Sequence, residues 1–579
     1  MGLLLSMLAC KTPPAEERGK KVLHMALRSK VGDMDPISGG HAYASLAMAP
    51  VFETLFDYQY LKRPLELEPL LLESMPEVSP DGRVYTFTLR KGVFFHDDPC
   101  FPGGKGRELH AEDVLFSIKR MANRAFRPRG WWLYNDRIVG FNAYRDQQNA
   151  RPAGVPFQYD APVEGLQVLD RYRFRITLTQ PYPQFLYVLA MNYTSVMARE
   201  AVEHYGQELS AHPVGTGPFI LKRWIRGTAV VFERNPRYRE RQVYFPTEKD
   251  ASPGMKERGL LRHAGELIPL LDGIVMHVFE QSQPMWLKWR VKDLDYIQVP
   301  AEYHDAIFQP DFTLRESFVK EGVQNLNVPL LDFIYRGFNM EHPITGGEQG
   351  KLIRQAISLA FDVSEFNDAF YNNTCVEYDG PIPPGLEGYK PGVTSAYRGP
   401  NIEKARELLA KAGYPNGEGL PPIEYEISIG GNEQAEMFSR QLKKIGVTLQ
   451  INSNSFPELI QKLSRRKAQF FGLAWGSDYP DAQNNLALFY GPNSSPGSNN
   501  FNYQNPAFDA LYDRIKVMQP GPERTQLYLQ MRELILEDVP TFGSMARTRF
   551  YVWNKRMSPV LPNETSYRWL KYTHVERQP

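Results

Sequence analysis

The chain has 579 residues, 67 Lys plus Arg against 66 Asp plus Glu, 42% apolar residues and 12% aromatics. That length calls for several lobes and the apolar fraction can fill them, which excludes a small single domain and a disordered chain. A net charge of +1 leaves no electrostatic footprint for nucleic acid or an anionic bilayer.

The first apolar run, Leu3-Leu4-Leu5 and Met7-Leu8-Ala9, is far too short to span a membrane and stops at Cys10. Met7-Leu8-Ala9-Cys10 resembles the box of a bacterial lipoprotein signal, in which the cysteine is lipidated, and Lys11 to Arg18 reads as a polar tether. Cys100 and Cys375 are compatible with one disulfide or none, and no zinc-type spacing accompanies them.

Val84 to Leu89 sets Tyr85, Phe87 and Leu89 against Thr86 and Thr88 after the turn Ser79-Pro80-Asp81-Gly82, the alternation of a half-buried strand. Ala111 to Ile118 spaces Val114, Leu115 and Ile118 as a helix. The long polar stretch Arg237 to His263 reads as a surface excursion. Asn401 to Gly413 has an Asn cap, apolar Ala405, Leu408, Leu409 and Ala412, and a closing Gly, which together predict a helix. Ile423 to Ile429 then alternates as a strand, and Ala435, Phe438, Leu442 and Ile445 line a helix ended by Gly446. Val447, Leu449 and Ile451 form the next strand, Ser455 caps a helix over Pro457 to Leu463, and Phe470 to Trp475 is a buried apolar run. This βαβαβ order predicts a parallel sheet covered by helices.

The common catalytic and nucleotide-binding motifs are absent: no GxSxG, HExxH, Walker A or GxGxxG occurs. Nothing in the sequence calls for a cofactor or a metal. The loop Gly103-Gly104-Lys105-Gly106 reads as a structural turn, and Asp97 and Asp98 beside His96 as solvated carboxylates. Asp478 and Asp481 are close enough in sequence to form an acid-base pair, but their spacing across a Pro-containing loop does not make them face each other. Asp478 is the most informative residue, because it follows the apolar strand in Trp475-Gly476-Ser477-Asp478-Tyr479 and open α/β sheets bind ligands beyond the carboxyl ends of their strands. A carboxylate beside Trp475 and Tyr479 suits a primary ammonium; a loop-capping Asp with Trp475 in the core is the competing reading.

Spread over nearly the whole length are Val51-Phe52-Glu53-Thr54-Leu55-Phe56, Ser79-Pro80-Asp81-Gly82, Ala111-Glu112-Asp113-Val114, and His212-Pro213-Val214-Gly215-Thr216-Gly217-Pro218-Phe219. Asn235-Pro236-Arg237-Tyr238, Arg354 to Asp362, Pro381-Ile382-Pro383-Pro384-Gly385 and Ala405 to Tyr414 continue the series. In this order the segments resemble the bacterial extracellular solute-binding proteins of family 5, the peptide and nickel binding type that serves ABC importers. The resemblance implies an α/β, two-lobed periplasmic-binding-protein fold of type II, the Venus-flytrap kind, with an extra subdomain in the larger lobe. On that frame residues 1–21 are a lipoprotein signal remnant and tether. Residues 22–62, 200–325 and 530–579 form lobe I, 63–199 its extra subdomain, and 326–529 lobe II.

The resemblance further implies a substrate-binding component, not an enzyme, that closes on an oligopeptide and delivers it to the permease subunits of an ABC importer. Its place would be the periplasm or the outer face of the cytoplasmic membrane, as a monomer touching the bilayer only through a lipid on Cys10. In peptide-binding relatives a Trp-x-x-Asp segment holds the ligand's α-ammonium, which falls here on Trp475 and Asp478. Tyr479 is added by adjacency, and Asn339, after the apolar run Phe333-Ile334-Tyr335, as a donor from the second lobe or a turn residue. Asp362 is followed by Val363 where the family has a basic residue, and no basic partner for a ligand carboxylate stands out. The alternatives are a binder of a non-peptide solute, such as a nickel chelate, haem or a sugar-like ligand, and a secreted hydrolase using Asp478 and Asp481.

Overall fold

The computed structural model describes residues 16–39, 42–152 and 154–577, so Cys10 and most of the tether lie outside the described residues. The chain divides into two compact units: Met1–Gln180 with Leu186–Leu326 and Tyr551–Pro579, and Pro181–Phe185 with Asn327–Phe550. The chain passes between them at 180/181 and 185/186, and again within the strands Gln324–Pro329 and Thr548–Trp553. The boundary expected at 529 falls inside the helix Pro522–Asp538, which stays whole in the second unit. No helix of the described residues is long and apolar enough to cross a membrane.

In the first unit a seven-stranded mixed sheet is built around Val22–Leu27, which pairs in parallel with Gly273–Val278 and with Tyr296–Gln298. A separate four-stranded antiparallel sheet orders Glu77–Val78, Val84–Thr88, Arg173–Thr177 and Leu166–Val168. Tyr85 and Phe87 alternate into its core as their spacing predicts. The segment Val214 to Phe219 is a packing device. A Cβ on Gly215 would meet the Val51 carbonyl oxygen at 2.1 Å, and one on Gly217 would meet that of Pro50 at 2.5 Å. Only glycine allows this approach, through which Gly217 N–H donates to Val51 O (2.8 Å) and Phe219 N–H to Pro50 O (3.0 Å). Between the glycines, Thr216 donates to buried Glu53, which also receives Arg241 at 2.7 Å. Arg237 to His263 departs from the expected surface excursion: Tyr238, Phe245, Met255 and Leu260 anchor it in the core. Its apolar residues are spaced too irregularly to show a period.

The second unit holds a six-stranded sheet in the order Val376–Glu377, Thr541–Ala546, Asp332–Phe338, Phe470–Gly476, Ile423–Ser428, Leu449–Asn454. Ile423–Ser428 pairs in parallel with both Leu449–Asn454 and Phe470–Gly476, as the βαβαβ pattern requires. Helices Asn432–Lys443 and Phe456–Ser464 connect these strands. The second begins with a reciprocal capping box between Ser455 and Glu458. Asp332–Phe338 runs antiparallel to Phe470–Gly476, with Asp332 opposite Gly476 and Phe338 opposite Phe470. One face of the sheet is covered by a core around Phe338, Phe361, Phe438, Phe470 and Phe542, the other by Phe333, Tyr335, Phe471, Phe489 and Phe501.

Candidate functional site

The strand Phe470–Gly476 carries its apolar residues into both cores and delivers its carboxyl end to a sheet edge. The chain then turns through Ser477 to Pro480 and enters the short helix Ala482–Leu486, with Asp481 as its N-cap accepting from Gln483 N–H at 2.9 Å. Within this turn one side chain that sequence reasoning missed, Asn484, fixes the geometry. Its Oδ1 accepts from the Trp475 indole N–H at 2.9 Å and from the Asp478 backbone N–H at 3.2 Å, while its Nδ2 donates to Asp478 Oδ2 at 3.0 Å. Trp475 and Asp478 are thus tied to one amide, with Trp475 half-buried against the core. A side chain bonded across a turn has no periodic signature, so no pattern singled out Asn484.

The two aspartates have opposite electrostatic settings. Asp481 is 5% exposed and neutralised: Arg524 Nη1 donates to it at 2.8 Å and the Tyr528 hydroxyl at 2.7 Å. Asp478 is largely withdrawn from water, and desolvation raises its pKa above 3.8, opposed only by the hydrogen bond from Asn484. Among the described residues no cation pairs with it. Asp481 is therefore committed to holding the turn on the helix Pro522–Asp538, and the acid-base pair weighed from sequence is not formed. Asp478 is left as a partly desolvated carboxylate lacking a positive partner, the state that a ligand ammonium relieves.

Two other expected contacts are corrected. Tyr479 is 3% exposed; its hydroxyl donates to Gln483 Oε1 at 2.9 Å, and Gln483 in turn donates to Tyr512, so the ring is a core pillar beneath the turn. Asn339 follows the far end of its strand, because antiparallel pairing sets Asp332, not Phe338, beside Gly476. Seven residues at about 3.4 Å each put it roughly 24 Å away along the sheet. There its side chain accepts from Glu341 N–H and Asn502 Nδ2 (both 3.1 Å) and donates to Arg466 O (3.2 Å), the bonding of a turn residue. Cys100 and Cys375 are free thiols. Asp97 binds Lys105 and Gly106 N–H, which closes the glycine loop as a structural turn.

An α/β protein with a desolvated carboxylate in the turn beyond the carboxyl end of a parallel strand pair is the class that this fold and candidate site define. The bacterial extracellular solute-binding proteins, family 5 Middle, match residues 66–497, and the chain belongs to that family. It is 28% identical over 514 residues to Di/tripeptide-binding protein 3 of Pseudomonas aeruginosa, covering 84% of this chain and 82% of that one. HbpA2 from Haemophilus parasuis superposes with a TM-score of 0.74 at 23% identity, over 96% of this chain and 100% of that chain. The ABC transporter-associated periplasmic binding protein DppA from Helicobacter pylori, in complex with peptide STSA, gives 0.67 at 23% identity over 97% and 99%. The fold is that of the type II periplasmic binding proteins, and the family is one of solute binders, not enzymes.

Proposed function

We propose that this protein captures short peptides for an ABC importer and holds the ligand's α-ammonium on Asp478, with Trp475 alongside. The observation that carries the reading is the desolvated Asp478 carboxylate, shaped by Asn484 and lacking a cation, just beyond the carboxyl end of the strand Phe470–Gly476. Similarity to a di/tripeptide-binding protein, and to a structure described as holding a peptide, supports the same ligand class. Closure of the two units on the ligand and hand-over to the permease subunits complete the cycle. The chain acts as a monomer, outside the cytoplasmic membrane, with a lipid on Cys10 as its only anchor.

The test is native mass spectrometry of a form lacking the first ten residues, followed by calorimetric titration with di- and tripeptides. A released peptide series that Asp478→Asn no longer retains supports the reading, whereas one discrete non-peptide mass, retained equally by the variant, overturns it. Size-exclusion chromatography with light scattering checks the monomer. Membrane fractionation of the full-length chain against Cys10→Ser checks the anchor, which fails if both partition alike.

A further inference from the structure

In the first unit the short antiparallel ribbon of Phe56–Tyr58 and Leu67–Pro69 sets two carboxylates directly opposite each other, Asp57 against Glu68. Like charges in that position repel, and each calls for a cation. Asp57 has its own. Lys571, carried on the helical turn Arg568–Tyr572, donates to its Oδ2 at 2.9 Å, and the Arg568 guanidinium stands 3.8 Å from its Oδ1. Among the described residues Glu68 receives neither a side-chain hydrogen bond nor an ion pair.

Glu68 lines a cavity of about 590 Å³, inside the range of about 300–1,000 Å³ usual for small-molecule sites. The first unit alone builds this cavity, whereas Asp478 belongs to the second. Its wall is apolar and aromatic: Tyr60, Leu70, Val93 and Tyr572 are buried, and the Tyr60 and Tyr572 rings stack at 4.3 Å. Other charged lining groups are committed, Arg241 to Glu53 at 2.7 Å, Lys571 to Asp57, and Asp250 to the Thr247 N–H and hydroxyl at 2.9 and 2.8 Å. Desolvation raises Glu68 to about 6, and the charges acting on it come as two of each sign, Lys571 and Arg90 against Asp57 and Asp250. Glu68 is therefore a half-buried carboxylate with no counter-charge of its own. Tyr244 lines the same cavity, is 53% exposed, and makes no side-chain hydrogen bond or ring contact among the described residues. An unpaired carboxylate and an open aromatic ring on one cavity are the two parts that hold an organic cation, by charge-assisted hydrogen bonding and by cation–π contact.

We infer that this cavity is a second ligand site, which takes a small organic monocation, a primary amine on an apolar stem, with its ammonium on Glu68 and its stem along Tyr244 and the apolar wall. Arg90 and Lys91, exposed on the lining, set the limit of one positive charge, since a second ammonium meets like charge there. The inference does not rest on the role proposed for Asp478.

Calorimetric titration of the full chain with pentylamine, N-acetylpentylamine and 1,5-diaminopentane tests it, on wild type, Glu68→Gln, Tyr244→Ala and Asp478→Asn. The three probes share one stem and differ in charge. Wild type is expected to bind pentylamine about tenfold or more tighter than either of the others. Glu68→Gln should abolish the preference over the acetylated amine, and Tyr244→Ala should weaken pentylamine roughly threefold. Gln keeps the shape of Glu and removes the repulsion from Asp57, so Glu68→Gln should melt no lower than wild type, which separates lost binding from lost folding. Tyr244→Ala, at an exposed position, is the second variant should Glu68→Gln unfold. Pentylamine binding should be unchanged in Asp478→Asn. The site is overturned if wild type binds none of the probes, if N-acetylpentylamine binds as tightly as pentylamine, or if Asp478→Asn rather than Glu68→Gln abolishes binding. An equally tight diamine overturns the limit of one charge.

Discussion

The role proposed for Asp478 follows from what its carboxylate lacks. Burial with one amide donor and no cation raises its pKa, so the carboxylate costs stability as pH rises through that value, and the cost is absent where it is protonated. Asp478→Asn is therefore expected to raise the melting temperature of the ligand-free protein at neutral pH while lowering peptide affinity about a hundredfold, read by calorimetry. Peptide binding should weaken as pH falls through the raised pKa, because the protonated acid cannot pair with an ammonium. The thiols make a second case at this scale: burial pushes Cys375 up to about 12 and Cys100 higher still. Alkylation by iodoacetamide at pH 8 should accordingly be slow in the folded protein and fast in denaturant.

The same segment that carries Asp478 is held from below by a buried pair. Arg524, on the helix Pro522–Asp538, is neutralised by Asp481 at the cap of the helix Ala482–Leu486, and Tyr528, one turn on, shares that carboxylate. Removing one partner leaves the other charged and desolvated, so Arg524→Met should cost about 3–5 kcal/mol in denaturant unfolding. Its double variant with Asp481→Asn should recover part of that loss. In the other unit, Gly215→Ala places a methyl against the Val51 carbonyl and should destabilise by roughly 1–3 kcal/mol or more. The glycine-rich segment that carries the family resemblance thus serves the packing of the first unit, far in sequence from Asp478.

Acid sensitivity belongs to the whole molecule. His96, buried and bonded through Nε2 to Gly217 O, is depressed to about 4 by desolvation, and His277 and His574 also fall to about 4 for the same first reason. A depressed histidine stabilises the fold fully above its unfolded pKa of 6.5 and loses that contribution as pH falls towards 4. Thermal melts should decline across that window, and His96→Gln should flatten the slope by removing a term of about 3 kcal/mol. Ligand acts on the same global equilibrium: a peptide at a hundred times its Kd adds about 2.7 kcal/mol of apparent stability. Reductant should leave the melt unchanged, since both described cysteines are free.

The parallel strands of the second unit were legible in the amino-acid order, because a two-residue period, caps such as Asn401 and Ser455 and closing glycines are local signals. The proposal for Asp478 also starts from the amino-acid order, from its place after a buried strand and its spacing from Trp475. Other assignments depended on partners remote in sequence. Asn339 reads as a donor until antiparallel pairing puts it at the opposite end of the sheet, and Tyr479 reads as a ligand contact until Gln483 and Tyr512 draw it into the core. Asp481 resembles a second acid until Arg524, 43 residues away, neutralises it. Local periodicity and capping act over a few residues and are written in the chain, whereas burial and charge pairing are set by whichever distant side chains the fold brings together.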